Sequence, residues 1–113
     1  MSTVTIGISS MRDLKQRTAA AFRGEKQGAR ISFASKVLLW RALTPKRWAL
    51  LKAMAGQNAL AIREIARRLK RDVRAVHSNV HTLLKAGVLD RTDDGRVVFP
   101  YDAIHVDFLL RAA

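Results

Sequence analysis

The chain has 113 residues, no cysteine, and 21 lysines and arginines against nine aspartates and glutamates, for a formal net charge of +12. This length suits one compact domain, and the lack of cysteine excludes disulfides and thiolate metal sites and fits a cytoplasmic protein. No apolar run approaches the roughly 20 residues needed to cross a bilayer, and we recognise no signal-peptide pattern at the N-terminus.

Positive charge is concentrated in the middle of the chain. Between Lys36 and Lys85 there are twelve basic residues and only two acidic ones, whereas from Arg91 onward there are three basic residues and four acidic ones. A one-sided excess of this kind is typical of a surface that binds a polyanion such as nucleic acid. The alternative is a basic surface that serves only solubility.

The first 30 residues predict a strand followed by a helix. Residues 3–8 place Val4, Ile6 and Ile8 at alternate positions, which favours a strand with one buried face. Ser10 can cap a helix that continues to Phe22. We predict that residues 1–30 join two copies of the chain, through the unpaired edge of this strand and through the Met11–Phe22 helix that follows it. The alternative is that the segment covers its own core.

Four further elements are predicted outside residues 62–99. Residues 31–33 predict a second short strand, and residues 35–43 a dense apolar helix. Pro45 breaks that helix, and Thr44 begins the next one because proline suits the first helical position. A C-terminal strand is expected within residues 101–110, where apolar side chains alternate.

Residues 62–99 carry the most informative pattern. A short amphipathic helix at 62–70 is followed by a longer helix that begins after Asp72, a good N-cap, and ends at Gly87. Two strands then flank an Asp94-Gly95 turn. This order predicts a winged helix-turn-helix, whose second helix enters the DNA major groove. The predicted fold class is therefore α+β, with the winged helix occupying residues 31–113.

One face of the longer helix is predicted to read DNA. The apolar stripe consists of Val73, Val76, Val80, Leu83 and Leu84. Arg74, His77, Ser78 and His81 lie on the opposite face, and all four can form hydrogen bonds with base edges. No acidic residue occurs between positions 73 and 88, as expected of a surface that approaches phosphates. A solvated polar face is the alternative.

The other candidate DNA contacts surround this row. We expect contacts to phosphates or to either groove from Arg63, Arg67, Arg71, Asn79, Lys85, Arg91 and Arg96. Of these, Asn79 is the one expected to reach an adenine edge or a phosphate. The arginines at 91 and 96 flank the hairpin, where they can approach the minor groove. Asp94 at the tip is expected to set the turn.

Metal binding and catalysis are not predicted. His77 and His81 are four residues apart and could share a metal ion, but no third ligand stands nearby in the sequence. The chain also lacks a phosphate-binding loop, paired carboxylates and a nucleophile elbow. We therefore expect no cofactor and no enzymatic activity.

The segment IREIARRLKRDVRAVHSNVHTLLKAGVLDRTDDGRVVFPYDAI, with its LxxxGVL pattern after the second helix, resembles the winged-helix cores of MarR- and ArsR-type regulators over roughly residues 44–101. Nearly the whole chain is similar to a small group of bacterial and archaeal winged-helix DNA-binding proteins, some of them antitoxin-like. The metal ligands of ArsR proteins and the long dimerisation helices of MarR proteins are missing.

The resemblance and the basic centre together predict a sequence-specific regulator of transcription that binds double-stranded DNA as a homodimeric repressor. Its two recognition helices would lie about 34–36 Å apart, one DNA turn. Removal of residues 1–28 would leave a folded, monomeric winged helix. The alternatives are an antitoxin that represses its own operon and binds a toxin protein, a non-specific architectural protein, and an RNA-binding module.

Overall fold

The computed structural model describes residues 2–8 and 29–108, and in this part the chain forms an α+β fold with four helices and two small sheets. The helices are α1 (Lys36–Ala42), α2 (Pro45–Met54), α3 (Ile62–Leu69) and α4 (Val73–Lys85). The strands are β1 (Thr3–Ile8), β2 (Arg30–Phe33), β3 (Asp90–Arg91), β4 (Val97–Val98) and β5 (Ala103–Asp107). The helix expected to end at Phe22, and the end of the C-terminal strand beyond Phe108, lie outside the described residues.

The larger sheet has the order β2-β1-β5, and both pairings are parallel. In this register Ile6 lies opposite Ile31 on one side and Val106 on the other, so one face of the sheet is apolar across all three strands. The expectation that the first strand has a free edge is wrong, because β1 is the central strand and both of its edges are paired.

The N-terminal strand belongs to the same core as the helices. Val4 and Ile6 are fully buried, and they share one apolar cluster with Leu39 of α1, Leu50 of α2 and Val80 of α4. The segments 1–30 and 31–113 are therefore joined by one sheet and one core. Removal of residues 1–28 would take out the central strand of the sheet and two buried core side chains, which argues against the expectation that a folded winged helix remains.

Helix starts follow the sequence closely. The Ser35 hydroxyl accepts a hydrogen bond from the Leu38 amide at 3.2 Å, at the start of α1. Thr44 caps α2 by accepting from the Arg47 amide at 3.4 Å, and Pro45 occupies the first position as predicted. None of the described helices is long and apolar enough to span a membrane.

The predicted hairpin is confirmed and is joined by a third segment. Strands β3 and β4 pair antiparallel, with Asp90 opposite Val98. Leu60, just before α3, bridges to Val97 through two backbone hydrogen bonds of 2.8 and 2.9 Å. Leu60 follows polar and small residues, so no alternating pattern predicts a strand at this position. The bridge fixes the hairpin against the start of α3.

Candidate nucleic-acid interface

Helix α4 separates a buried face from an exposed polar one. Val76, Val80 and Leu83 are buried against the core. The outward side chains are those of Arg74, His77, Ser78, His81 and Lys85, all exposed. Val73, the first residue of the helix, was expected in the apolar stripe but is 42% exposed.

The two histidines of this face are one helical turn apart and lie parallel. The ring centroids of His77 and His81 are separated by 6.3 Å, with 8° between the ring planes. Within residues 2–8 and 29–108, no three histidine, cysteine or acidic side chains lie together as a metal site would require. The pair presents hydrogen-bonding edges beside Arg74 and Ser78 on the exposed face of the helix.

Asn79 differs from the prediction, because it faces the protein. Its side chain is half-buried, and Oδ1 accepts a hydrogen bond from Nε of Arg47 in α2 at 3.1 Å. The same guanidinium donates from Nη1 to the carbonyl oxygens of Arg41, at 2.8 Å, and Ala42, at 3.1 Å. Asn79 thus joins α4 to α2 and to the C-terminal end of α1, and its carbonyl oxygen is already engaged.

Arg47 was not predicted as a functional or structural residue. Its place in the sequence, in the first turn of a proline-initiated helix, looks like an ordinary exposed charge. The carbonyl groups at the end of α1 need hydrogen-bond donors, and this requirement could have suggested a nearby arginine. The identity of the arginine depends on how α1 and α2 pack, which periodicity does not reveal.

Arg71, at the entrance to α4, is also partly committed to the protein. Its Nη1 donates to the backbone oxygen of Lys46 at 3.0 Å, and the residue is half-buried. The turn that holds it contains Lys70, whose φ of 53° lies in the left-handed region. Asp72 is the N-cap of α4 as predicted, but its side chain makes no capping hydrogen bond. Arg71 therefore positions the turn from which Arg74 projects.

The basic residues of α3 share one acidic partner. Glu64 accepts from Arg67, at 2.9 Å from Nε and 2.5 Å from Nη2, and from Nε of Arg68 at 2.9 Å. These hydrogen bonds lower the pKa of Glu64 to about 2, so the carboxylate stays ionised at neutral pH. It offsets one of the two neighbouring positive charges. Arg63 is exposed on the same helix.

The hairpin presents its two arginines at the surface. Arg91 and Arg96 are both exposed, and Nε of Arg96 lies 3.5 Å from Oδ2 of Asp94. The Thr92 hydroxyl donates to the Asp94 carboxylate and lowers its pKa, while the Thr92 amide donates to the Arg96 carbonyl oxygen at 2.9 Å. Asp94 therefore orders the turn, as expected, and restrains Arg96.

Comparison with known proteins places the chain in a family. No curated protein and no solved structure matches it. Residues 42–106 match the HVO_A0114 family, and this span runs from the end of α1 through α2, α3, α4 and the hairpin into β5. The match covers more than half of the chain and includes every candidate DNA-contacting residue. The chain therefore belongs to the HVO_A0114 family.

Proposed function

We propose that this protein is a sequence-specific, double-stranded DNA-binding regulator, in which α3, α4 and the β3–β4 hairpin form a winged helix-turn-helix. The observation that carries the proposal is the outward face of α4. Arg74, His77, Ser78, His81 and Lys85 are exposed side by side, and no acidic side chain lies among them. Such a helix suits the major groove, where each base pair offers its own set of donors and acceptors.

The distribution of charge supports DNA over a merely solvated surface. A helix exposed only to water usually mixes acidic and basic residues, whereas α4 carries none of the nine acidic residues of the chain. Acidic side chains would be repelled by DNA, which carries one negative charge per roughly 1.7 Å of axis. The exposed face of α4 thus lacks the acidic residues that a DNA duplex would repel.

Different elements take different roles in this proposal. Arg74 and the two histidines read base edges. Arg63 and Arg67 of α3 meet phosphates, and the second of these must first exchange its Glu64 partner for a phosphate oxygen. Arg91 and Arg96 approach the adjacent minor groove, with the Asp94-centred turn limiting how deeply the hairpin enters.

We further propose that the protein acts as a homodimeric repressor. A single α4 reaches few base pairs, and two half-sites related by a twofold axis supply the missing specificity. Repression requires only that a bound dimer occupy its operator. The basic centre of each copy adds a sequence-independent attraction that speeds association.

Selection of bound duplexes from random DNA tests this function directly. We expect enrichment of one inverted repeat, and affinity for it that falls roughly 10³–10⁵-fold between about 50 and 200 mM salt if about 6–10 phosphates are contacted. Single-stranded DNA and structured RNA serve as competitors. Enrichment of no sequence would support an architectural protein instead, and tighter binding to the RNA competitor would support an RNA-binding module.

A further inference from the structure

Two half-buried arginines beside α4 have neutral partners only. Arg47 donates to the amide oxygen of Asn79 and to two carbonyl oxygens at the end of α1. Arg71 donates to the backbone oxygen of Lys46. In the described part of the chain, neither guanidinium forms an ion pair with an acidic side chain. Because charges withdrawn from water are usually paired with opposite ones, both arginines keep positive charge that the protein does not neutralise.

The two arginines meet an exposed lysine at the start of α2. Nη1 of Arg71 lies 3.0 Å from the backbone oxygen of Lys46, and Lys46 directly precedes Arg47 in the first turn of the helix. The Lys46 side chain is exposed, and its ammonium group has no partner among the residues that the structure describes. We call Lys46, Arg47 and Arg71 the α2–α4 corner. Guanidinium and ammonium groups gathered in this way suit a phosphate group.

The surroundings of the α2–α4 corner favour an anion. No aspartate or glutamate occurs between positions 29 and 63, a stretch that includes β2, α1 and α2. Asp72, next to Arg71, is the acidic neighbour in the sequence. Its exposed side chain makes no capping hydrogen bond and no ion pair with any described residue. Three cations and one carboxylate leave an excess of two positive charges at the corner.

The α2–α4 corner lies along one flank of α4. Asn79, which accepts from Arg47, follows Ser78 of the exposed face, and Arg71 lies just before the start of the helix. A helix with its side chains is about 10–12 Å across, and the major groove of DNA is about 12 Å wide. A helix that enters the groove therefore brings its flanks close to the phosphates on either side. The DNA strand on the Asn79 side of α4 would pass the corner.

We propose that the α2–α4 corner binds a phosphate group of the DNA backbone, so that the DNA interface extends to the first turn of α2. This inference rests on the proposed function, since it requires α4 in the major groove. Hydrogen bonds to the protein hold Arg47 and Arg71 in place, and Lys46 adds a mobile ammonium group. A phosphate contact here fixes the position of α4 in the groove and carries no sequence information.

The substitution Lys46→Ala tests the corner with little disturbance of the fold. The side chain is exposed, and the backbone oxygen that Arg71 uses is retained. Lys52→Ala is the matched control, because it removes the same charge from an exposed position in the last turn of the same helix. Fluorescence anisotropy measures the affinity of the full chain for selected and random duplexes between about 50 and 200 mM salt. Thermal unfolding confirms that each variant is folded.

We expect Lys46→Ala to weaken binding to both kinds of duplex by a similar factor. It should also lower the slope of log affinity against log salt by about 0.9, because one phosphate contact is lost. The ratio of the unmodified to the variant affinity should then fall about 3.5-fold between about 50 and 200 mM salt. Lys52→Ala should leave the slope unchanged. An unchanged slope for Lys46→Ala, or an equal change in both variants, would overturn the inference.

A second measurement locates the phosphate group on the selected duplex. A neutral methylphosphonate replaces one phosphate at a time. At the position that meets the corner, the unmodified chain and Lys46→Ala should bind with equal affinity. Duplexes substituted elsewhere should preserve the difference between the two proteins. A difference that survives at every position would overturn the inference.

Failure of the corner and failure of the proposed function give different results. A protein that selects one DNA sequence, with a salt slope that Lys46→Ala does not change, would sink the corner alone. A protein that selects no sequence, but whose slope Lys46→Ala lowers, would sink sequence-specific regulation and leave the corner in place. Inorganic phosphate bound in a Lys46-dependent way, with an unchanged slope on DNA, would assign the corner to a free anion and overturn the DNA contact.

Discussion

Nε of Arg47 lies 3.1 Å from Oδ1 of Asn79, and this hydrogen bond joins α2 to the middle of α4. The guanidinium also donates to the last carbonyl groups of α1, so one side chain connects three helices. Its planar group can reach all of these acceptors at once, which a lysine ammonium on a flexible stem cannot do in the same way. This contact connects α4, and hence its exposed face, to α1 and α2.

Removal of either partner should loosen α4. We expect Asn79→Ala to lower the free energy of unfolding by about 1 kcal/mol, and Arg47→Lys by about 0.5–1.5 kcal/mol, because acceptors that are at most partly buried lose their donor. A double-mutant cycle measured by urea unfolding should give a coupling energy of about 0.5–3 kcal/mol. Ser78→Ala, one residue away on the exposed face, should change stability by less than about 0.5 kcal/mol. Strictly additive losses would show that the bond contributes nothing.

Arg74 and Arg67 should have separable effects on DNA binding. Arg74 projects from the exposed face of α4, so Arg74→Ala should cost about 1–3 kcal/mol on the selected site and relax the preference at one base pair. Arg67→Ala should weaken binding to all duplexes by a similar factor, because a phosphate contact carries no sequence information. Competition assays with selected and random duplexes distinguish the two. Equal losses for Arg74→Ala on both duplexes would remove it from the reading role.

Glu64 should restrain DNA binding through the arginines that it holds. Glu64→Gln removes a carboxylate that accepts hydrogen bonds from Arg67 and Arg68. Because Arg67 no longer has to give up this partner to meet a phosphate, we expect tighter binding to every duplex, whatever its sequence. Affinities that the substitution leaves unchanged would show that neither arginine lies near the DNA backbone.

The same residue predicts a stability change in acid. The folded-state pKa of Glu64 is depressed from 4.5 to about 2 by its two arginine partners. A carboxyl group whose pKa is lower in the folded state stabilises the fold fully at pH values above its unfolded-state pKa. This contribution is lost as the pH falls through the folded-state pKa. The difference in stability between the unmodified chain and Glu64→Gln should thus be constant above pH 4.5 and shrink toward pH 2. A difference that persists unchanged to pH 2 would contradict this assignment.

The elements between α2 and the hairpin were predictable because their signals are local. The residues after Thr44, the turn before Val73 and the Asp94-Gly95 pair each fix a boundary through the chemistry of a few neighbours. The exposed face of α4 was equally visible, because helical spacing alone puts His77 and His81 together.

The sheet was not predictable in the same way. The alternation of Val4 and Ile6 shows that β1 has a buried face, but it does not show which strands flank it. Pairing with Ala103–Asp107 joins residues about one hundred positions apart, and it depends on the packing of everything between them. For the same reason Asn79 looked like a DNA contact, since nothing in the sequence reveals that Arg47 lies across from it.

Lys70 occupies a left-handed conformation that favours glycine. Its φ is 53°, and its amide donates to the carbonyl groups at the end of α3. Because a Cβ is disfavoured there by about 1–2 kcal/mol, we expect Lys70→Gly to raise the free energy of unfolding by up to about 1 kcal/mol. Lys70→Ala is the control, since it removes the same charge and keeps the Cβ. Urea unfolding should show a higher free energy of unfolding for Lys70→Gly but not for Lys70→Ala. Equal stabilities of the two variants would show that the left-handed conformation of Lys70 is not strained.

Gly7 of β1 leaves no room for a side chain. A Cβ at this position would lie 2.5 Å from the backbone oxygen of Asp107 and 2.6 Å from Nη2 of Arg30. The arginine is held over the strand by hydrogen bonds to Ser32 Oγ at 3.1 Å and to the Ile8 oxygen at 3.5 Å. Relief of the clash with Asp107 requires β5 to move away from β1, which would disturb the parallel pairing between them.

We therefore expect Gly7→Ala to lower the free energy of unfolding by about 1–3 kcal/mol, the usual cost of overpacking. Thr3→Ala, at an exposed position of the same strand, should change it by less than about 0.5 kcal/mol. Combining Gly7→Ala with Arg30→Ala removes the flexible contact and leaves the backbone one. The Arg30 side chain can move aside, whereas the paired strand β5 cannot. The loss of unfolding free energy in the double variant should therefore equal the sum of the losses in the two single variants. Recovery of stability in the double variant would show that Arg30, and not the approach of β5, demands glycine at this position.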